Sequence, residues 1–194
     1  MTSRVRLDQF DASVGLVRGR PLWFEALWYA VKCLFLLSPW PWPSSMKVFL
    51  LRRFGARIGQ GCYIKPRVNI HLPWKLTIGD HVWIGEEAFI LNFEPVTIGS
   101  HCCLSQRSFL CTGNHDFRDP SMPYRNRPIS IEDGAWVGAG AFVGPGVTVG
   151  SDAVICAGSV VTTDLEAGKI CSGNPCKPVK DRWPYPKAAT SGSA

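Results

Sequence analysis

The chain has 194 residues, 46% of them hydrophobic and 19% charged, with a net charge of +6. That length and apolar content suit one packed domain. The basic excess comes without a dense Lys/Arg run or a nucleic-acid motif, which argues against a DNA or RNA partner. It leaves a polyanionic ligand or an anionic membrane surface as its natural complement.

Residues 1–20 are polar, with Gly15 and Gly19 as breakers, and read as an extended arm. From Pro21 to Leu37, Trp23, Phe24, Leu27, Trp28, Val31, Leu34 and Phe35 recur at helical spacing, interrupted by Glu25 and Lys32. The run is too short to span a bilayer, which takes about 20 apolar residues. Two readings stay open for residues 21–37: an amphipathic helix packed on the flank or end of the domain, or an interfacial helix in peripheral contact with a membrane. The stretch Ser38 to Pro43 alternates proline and tryptophan and reads as a stiff connector. Met46 to Phe54 reads as a second short helix that stops at Gly55.

A six-residue beat then takes over. Aliphatic residues recur at Ile58, Ile64, Ile70; at Ile78, Ile84, Ile90; at Ile98, Leu104, Leu110; and at Ile131, Val137, Val143, Val149, Ile155, Val161. A helix repeats every 3.6 residues and a strand every two, so neither explains it. A hexapeptide period signals a parallel β-helix, with one aliphatic residue per flat side and three sides per coil. The beat slips by two residues before Ile78 and Ile98, and breaks outright between Leu110 and Ile131. It predicts an all-β solenoid over residues 58–165 with a loop inserted at 111–130, a helical extension over 1–57, and a C-terminal segment over 166–194 whose last residues, Thr190 to Ala194, form a tail. Long excursions from repetitive scaffolds tend to carry function.

Eight cysteines form no C-x-x-C pair, and Cys62 and Cys102 fall in the beat's small-residue slot. With no secretory signal read, they are expected as reduced structural thiols of a cytoplasmic protein. Of four histidines, His71 falls in a two-residue slip, and His81 and His101 fall at equivalent corners, both readable as plain solvent-facing residues. His115 sits in the inserted loop after Asn114, where a neutral imidazole can accept a proton from a hydroxyl. A carbonic-anhydrase-like zinc site needs three converging histidines, and the close pair on one coil is absent, so no metal is expected. No G-x-S-x-G elbow supports serine hydrolysis.

The segments Lys47-Val48-Phe49-Leu50-Leu51-Arg52-Arg53-Phe54-Gly55-Ala56, Leu110-Cys111-Thr112-Gly113-Asn114-His115-Asp116 and Ile131-Glu132-Asp133-Gly134-Ala135-Trp136-Val137-Gly138-Ala139, with the ending Gly173-Asn174-Pro175-Cys176-Lys177, carry a resemblance. Across residues 20–182 the chain resembles the hexapeptide-repeat O-acetyltransferases, nearest the colanic-acid-type branch of exopolysaccharide biosynthesis. The resemblance implies a left-handed parallel β-helix, a homotrimer with sites between neighbouring chains, acetyl-CoA as donor, and a saccharide acceptor, free or lipid-linked. It implies His115 as general base and the Ala139 N–H as oxyanion donor, with Trp136 lining the acceptor or pantetheine channel. Asn92 matches an acceptor-binding asparagine, with Glu94 competing for that place. Ala157 and Thr162 match pantetheine contacts, and Lys177 and Lys180 match the phosphate end. Thr163 stands where relatives often carry lysine, and Lys169 is a candidate to compensate. A non-catalytic trimeric scaffold is the alternative function.

Overall fold

The beat becomes three stacked sheets, described over residues 4–183 of a computed structural model. The Thr190–Ala194 tail lies outside the described residues. The first sheet stacks Arg57–Ile58, Leu76–Ile78, Val96–Ile98, Ile129–Ile131 and Thr148–Val149 (β1, β4, β7, β10, β13). The second stacks Tyr63–Ile64, Trp83–Ile84, Cys103–Leu104, Trp136–Val137 and Val154–Ile155 (β2, β5, β8, β11, β14). The third stacks Asn69–Ile70, Phe89–Leu91, Phe109–Cys111, Phe142–Val143 and Val160–Val161 (β3, β6, β9, β12, β15). All these pairings are parallel, so each circuit of the chain adds one rung to each sheet.

Register follows the beat. Ile58, Ile78, Ile98, Ile131 and Val149 align in one column. Ile64, Ile84, Leu104, Val137 and Ile155 form the second, and Ile70, Ile90, Leu110, Val143 and Val161 the third. All fifteen are buried, each contributing about 1.5–3 kcal/mol of hydrophobic stabilisation. The small-residue slot fills the space beneath the corners with Val68, Ala88, Ser108, Ala141 and Ser159, all at 1% exposure or less.

The two ends of the solenoid are finished differently. At the start, helix α1 (Leu22–Val31, continued by a π-helical turn Lys32–Leu36) and helix α2 (Ser44–Arg53) lie against the first coil. They satisfy one first-rung carbonyl on each sheet. Arg52 donates to Ile58 O at 2.7 and 3.1 Å, Lys47 Nζ to Ile64 O at 3.2 Å, and Trp28 Nε1 to Ile70 O at 3.2 Å. This explains why Lys47 is only 1% exposed. At the finish, Lys169–Gly173 (β16) adds a parallel rung to the second sheet, and Cys176–Asp181 (β17) folds back antiparallel on it.

The three edges of the prism differ. At the first edge, between first and second sheets, side chains take the corner N–H groups. Asp80, Ser100, Asp133 and Glu132 accept from Gln60, Asp80, Ser100 and Ser151 at 2.7–3.1 Å. His81 and His101 lie on this edge, exposed and stacked at 5.2 Å, as their corner positions predict. The third edge, between third and first sheets, carries both two-residue slips and the long loop, which occupies residues 112–128 between β9 and β10. The second edge lies between second and third sheets.

Candidate functional site

The loop is built by its own backbone. Arg125 N–H donates to Asn114 O, Asp116 N–H to Pro123 O and Arg127 N–H to Thr112 O, at 2.8–3.1 Å. The side chain of Asn126 takes the Asn114 N–H at 3.0 Å. At the tip, Asp119 Oδ1 accepts from Ser121 N and Oγ, both at 2.8 Å, and Met122 adopts φ 52°. This left-handed turn leaves the Met122 carbonyl 2.6 Å from His115 Nδ1. A carbonyl oxygen only accepts, so Nδ1 carries the hydrogen and Nε2 holds the lone pair of the neutral ring.

Aromatic walls hold the imidazole. Tyr124 packs against it with ring centroids 4.9 Å apart, and Phe10 at 5.4 Å. Phe10 belongs to the N-terminal arm, which is tied along the third edge. Arg6 N–H reaches Pro120 O at 2.8 Å, Trp74 Nε1 reaches Arg18 O at 2.6 Å, and Lys75 Nζ bridges the carbonyls of Val17 and Phe93. His115 itself is half-buried.

A second group gathers on the second edge. Ala139 and Ala157 occupy the same corner in successive coils, joined by Gly158 N–H to Ala139 O at 2.8 Å. Both are exposed, and neither N–H has a partner among the described residues. Next to them stand Gly140 and Gly158, with φ +65° and +69°, where an added Cβ would meet nothing within 4 Å. In the lower coils the same position is filled by Arg67, Glu87 and Arg107, a ladder linked at 3.1 and 2.6 Å. An open groove of about 580 Å³ follows, lined by Glu86, Gln106, Arg107, Ala139 and Gly140. The edge is thus filled below Ala139 and bare at and above it.

Trp136 lies on the outer face of the second sheet, its indole N–H donating to Ser105 Oγ at 2.8 Å. Lys177 and Lys180 stand three apart, a separation that in a regular strand puts side chains on opposite faces. The register shift opposite Ile170/Cys171 pairs Lys180 with Ile170 and Lys177 with Ser172. Because Cys171 points inward, in line with Ile155, both lysines share the outer face with Trp136. They lie three strand spacings from it, about 14 Å.

The expected site residues therefore fall in two places on one chain. His115 and Thr162 lie on the third edge, while Ala139, Ala157, Trp136, Lys177 and Lys180 lie on or beside the second. The third sheet, with Phe89, Phe109 and Phe142 outward, separates them. Asn92 must be corrected. It is fully buried, its Oδ1 accepting from Leu72 N at 2.8 Å and its Nδ2 donating to Leu72 O at 2.6 Å. The side chain is consumed in fastening a two-residue slip and offers nothing to an acceptor. Glu94, the competing residue, is half-buried beside it. Lys169 is also committed elsewhere: Asp181 holds its ammonium at 2.6 Å and raises its pKa.

All eight cysteines are free, and burial pushes the Cys102 and Cys171 thiols up to about 11, so neither is a ready nucleophile at neutral pH. Among the described residues no three His, Cys, Asp or Glu side chains gather in a way that would hold a metal ion.

Comparison with known proteins decides the family. Residues 128–163 match the family described as "Hexapeptide repeat of succinyl-transferase". The chain is 41% identical over 180 residues to "Putative colanic acid biosynthesis acetyltransferase WcaF" of Escherichia coli (strain K12), covering 91% of this chain and 96% of that one. The chain belongs to the hexapeptide-repeat acetyltransferases. A galactoside O-acetyltransferase of Escherichia coli (strain K12) is 29% identical over 93% of this chain and 89% of its own. In fold, it resembles the hexapeptide-repeat acetyltransferase VCA0836 of Vibrio cholerae in complex with acetyl coenzyme A. The TM-score is 0.74 at 24% identity, over 82% of this chain and 87% of that one.

For this hexapeptide-repeat acetyltransferase, the beat and the break in it led to His115. Three neighbours of His115 escaped that reading. The Met122 carbonyl is a backbone group at a position where nothing in the residue type announces φ 52°. Phe10 and Tyr124 belong to aperiodic segments. The only hint was Gly15, whose φ of +78° and close approach to Tyr124, 3.1 Å from an added Cβ to Tyr124 O, allow the arm to follow the loop.

Proposed function

We propose that this protein transfers the acetyl group of acetyl-CoA to a saccharide hydroxyl in the cytoplasm, on a precursor of a cell-surface polysaccharide. One observation carries the reading: the 2.6 Å contact between His115 Nδ1 and Met122 O, which leaves Nε2 free to act as a base, and in a ring of copies that base would face the bare second edge of a neighbour. His115 and Ala139 stand on different edges of one prism, so a complete site needs two chains, and a closed ring of three gives each chain the same pair of neighbours.

In that arrangement Nε2 takes the proton of the acceptor hydroxyl as its oxygen attacks the thioester carbon. The new C–O bond makes a tetrahedral oxyanion, to which the Ala139 N–H donates. The C–S bond then breaks, and the imidazolium returns its proton to the leaving thiolate, giving acetyl ester and free CoA. The N–H at Ala157, which has no partner among the described residues, suits an amide of an extended pantetheine running past Ala139, and Lys177 and Lys180 suit its phosphates. The names of the two relatives, one of colanic acid biosynthesis and one acting on galactosides, support a sugar acceptor.

The test follows thiol release from acetyl-CoA with a panel of free, nucleotide-linked and lipid-linked sugars. His115→Ala is expected to lower turnover at least about a hundredfold while acetyl-CoA still binds. Turnover near that of the unaltered protein would sink the base assignment, and a light-scattering mass of one chain in an active sample would sink the shared site.

A further inference from the structure

Helix α1 hides its charges and shows its apolar side. Leu22, Trp23, Leu27, Tyr29 and Leu34 are 67, 68, 49, 61 and 59% exposed. The only two charged residues between Pro21 and Leu37 are Glu25 and Lys32, and both are turned inward. Glu25 is neutralised by Arg18, whose guanidinium reaches its two carboxylate oxygens at 2.7 and 2.8 Å. Lys32 is different. It is 4% exposed, lies 5.1 Å from the Tyr29 ring centroid, and has no carboxylate or carbonyl partner among the described residues.

The Lys32 stem is buried while its ammonium, without a protein partner among the described residues, faces the cavity, where an arriving anion would gain a charge-assisted contact. Lys32 lines a cavity of about 270 Å³ with Glu25, Trp28, Tyr29 and His71 and with the exposed Leu22 and Ala26. Burial draws the pKa of Lys32 down. Burial, and then the Lys32 charge, do the same to His71. Arg18 already neutralises Glu25, so the uncompensated charge in the cavity is the Lys32 ammonium, which suits one negative group carried on an apolar neighbour.

We infer that the outer face of α1 seats on an anionic bilayer, with the Lys32 cavity receiving the phosphate of one lipid. A second copy meeting this stripe with its own α1 face would match the apolar side chains but bring no anion, since that exposed face carries no acidic residue. A bilayer supplies both. Trp23, Tyr29 and the 65% exposed Trp40 are the side chains that settle at a headgroup boundary. Arg20, exposed beside Phe24, adds a second cation at the start of the helix. No helix among the described residues is long and apolar enough to cross the membrane, so the contact is a surface one.

The test is flotation of the full chain with vesicles of phosphatidylcholine alone or mixed with phosphatidylglycerol, with thermal melting and thiol release as folding controls. The protein should float with the anionic vesicles, and bromine-labelled lipid should quench its tryptophan emission. Trp23→Gln with Leu27→Gln should abolish flotation on both vesicle types. Lys32→Met keeps the apolar stem; it should lower binding to anionic vesicles about fivefold and leave the weak binding to neutral ones unchanged. If the double variant fails to fold, the quenching in the unaltered protein decides. Equal flotation with and without vesicles, absence of quenching, or equal loss on both vesicle types for Lys32→Met would overturn the inference. A drop in assembly mass for the double variant would hand the face to a second copy instead.

Discussion

Two glycines only two residues apart, Gly138 and Gly140, separate two reasons for needing glycine beside Ala139. A Cβ on Gly138 would lie 2.5 Å from Ile155 O, 2.7 Å from Ala157 N and 2.8 Å from Cys156 C, all backbone atoms of the next coil. Carbon contacts settle near 3.5–4.0 Å, so Gly138→Ala must push the coils apart by about 1 Å. That stretches two 2.8 Å bonds, Gly138 N–H to Ile155 O and Gly158 N–H to Ala139 O. Overpacking of this kind costs about 1–3 kcal/mol and weakened hydrogen bonds add to it, so about 3 kcal/mol is expected. In a chain of this size that lowers Tm by roughly 6–12 °C. Gly140→Ala meets no atom within 4 Å and bears only the left-handed φ of +65°. Arg67, Glu87 and Arg107 adopt φ of 58–60° at the same corner, so a Cβ is tolerated there. The expected cost is about 1 kcal/mol, or roughly 2–4 °C. Differential scanning fluorimetry reads both variants, and the KM for acetyl-CoA should rise only for Gly138→Ala. Equal melting of the two, or an unshifted Gly138→Ala, would refute the argument that close approach of the coils sets this edge.

Phe10→Ala removes one wall of His115 and should lower kcat/KM about three- to tenfold in the thiol-release assay, with Tm nearly unchanged because the arm adds little to the core. Asn92→Ala strands the Leu72 N–H and C=O and should cost about 2 kcal/mol in denaturant unfolding, with the acceptor KM unmoved. A raised acceptor KM at unchanged stability would restore it to the site. Cys102 and Cys171 have folded pKa values raised to about 11. The stability they contribute is therefore complete below the unfolded thiol range and fades as pH rises through about 11. Melting temperature should drop over that alkaline window, and less steeply in Cys102→Ala.

The solenoid was legible because its inward residues repeat with the coil. Each aliphatic residue from Ile58 to Val161 reports a buried column, and each slip in the beat reports an excursion. The loop histidine stood out by the same logic. What was not legible lay in contacts between segments that have no period. The arm meets the loop through Phe10, and the loop turns its Met122 carbonyl through a backbone angle that methionine rarely adopts. The bulge opposite Cys171 reverses which lysines share a face, which counting by twos misjudges. Asn92 looked chemical because it is polar beside a break, yet a slip in a coil needs a side chain to fasten it. Helix α1 showed apolar residues at helical spacing, but spacing alone does not tell which side meets the solenoid. Its charged residues were drawn inward to Arg18 and the Lys32 cavity.

The ends of the solenoid set how copies of this chain can meet. Arg52, Lys47 and Trp28 occupy the first-rung carbonyls of all three sheets, and at the finish the second sheet ends on an antiparallel strand bearing Lys177, Pro178 and Lys180. An open rung would be a template for another chain to extend end to end into a fibre, and lysine and proline on a terminal strand discourage it. Growth along the axis is thereby blocked at the start and discouraged on the second sheet at the finish. The proposed assembly uses the flanks, across which His115 of one chain would meet Ala139 of another. The same lysines that suit a cofactor's phosphates also guard this terminal strand, so replacing both with apolar residues would put solubility at risk along with donor binding.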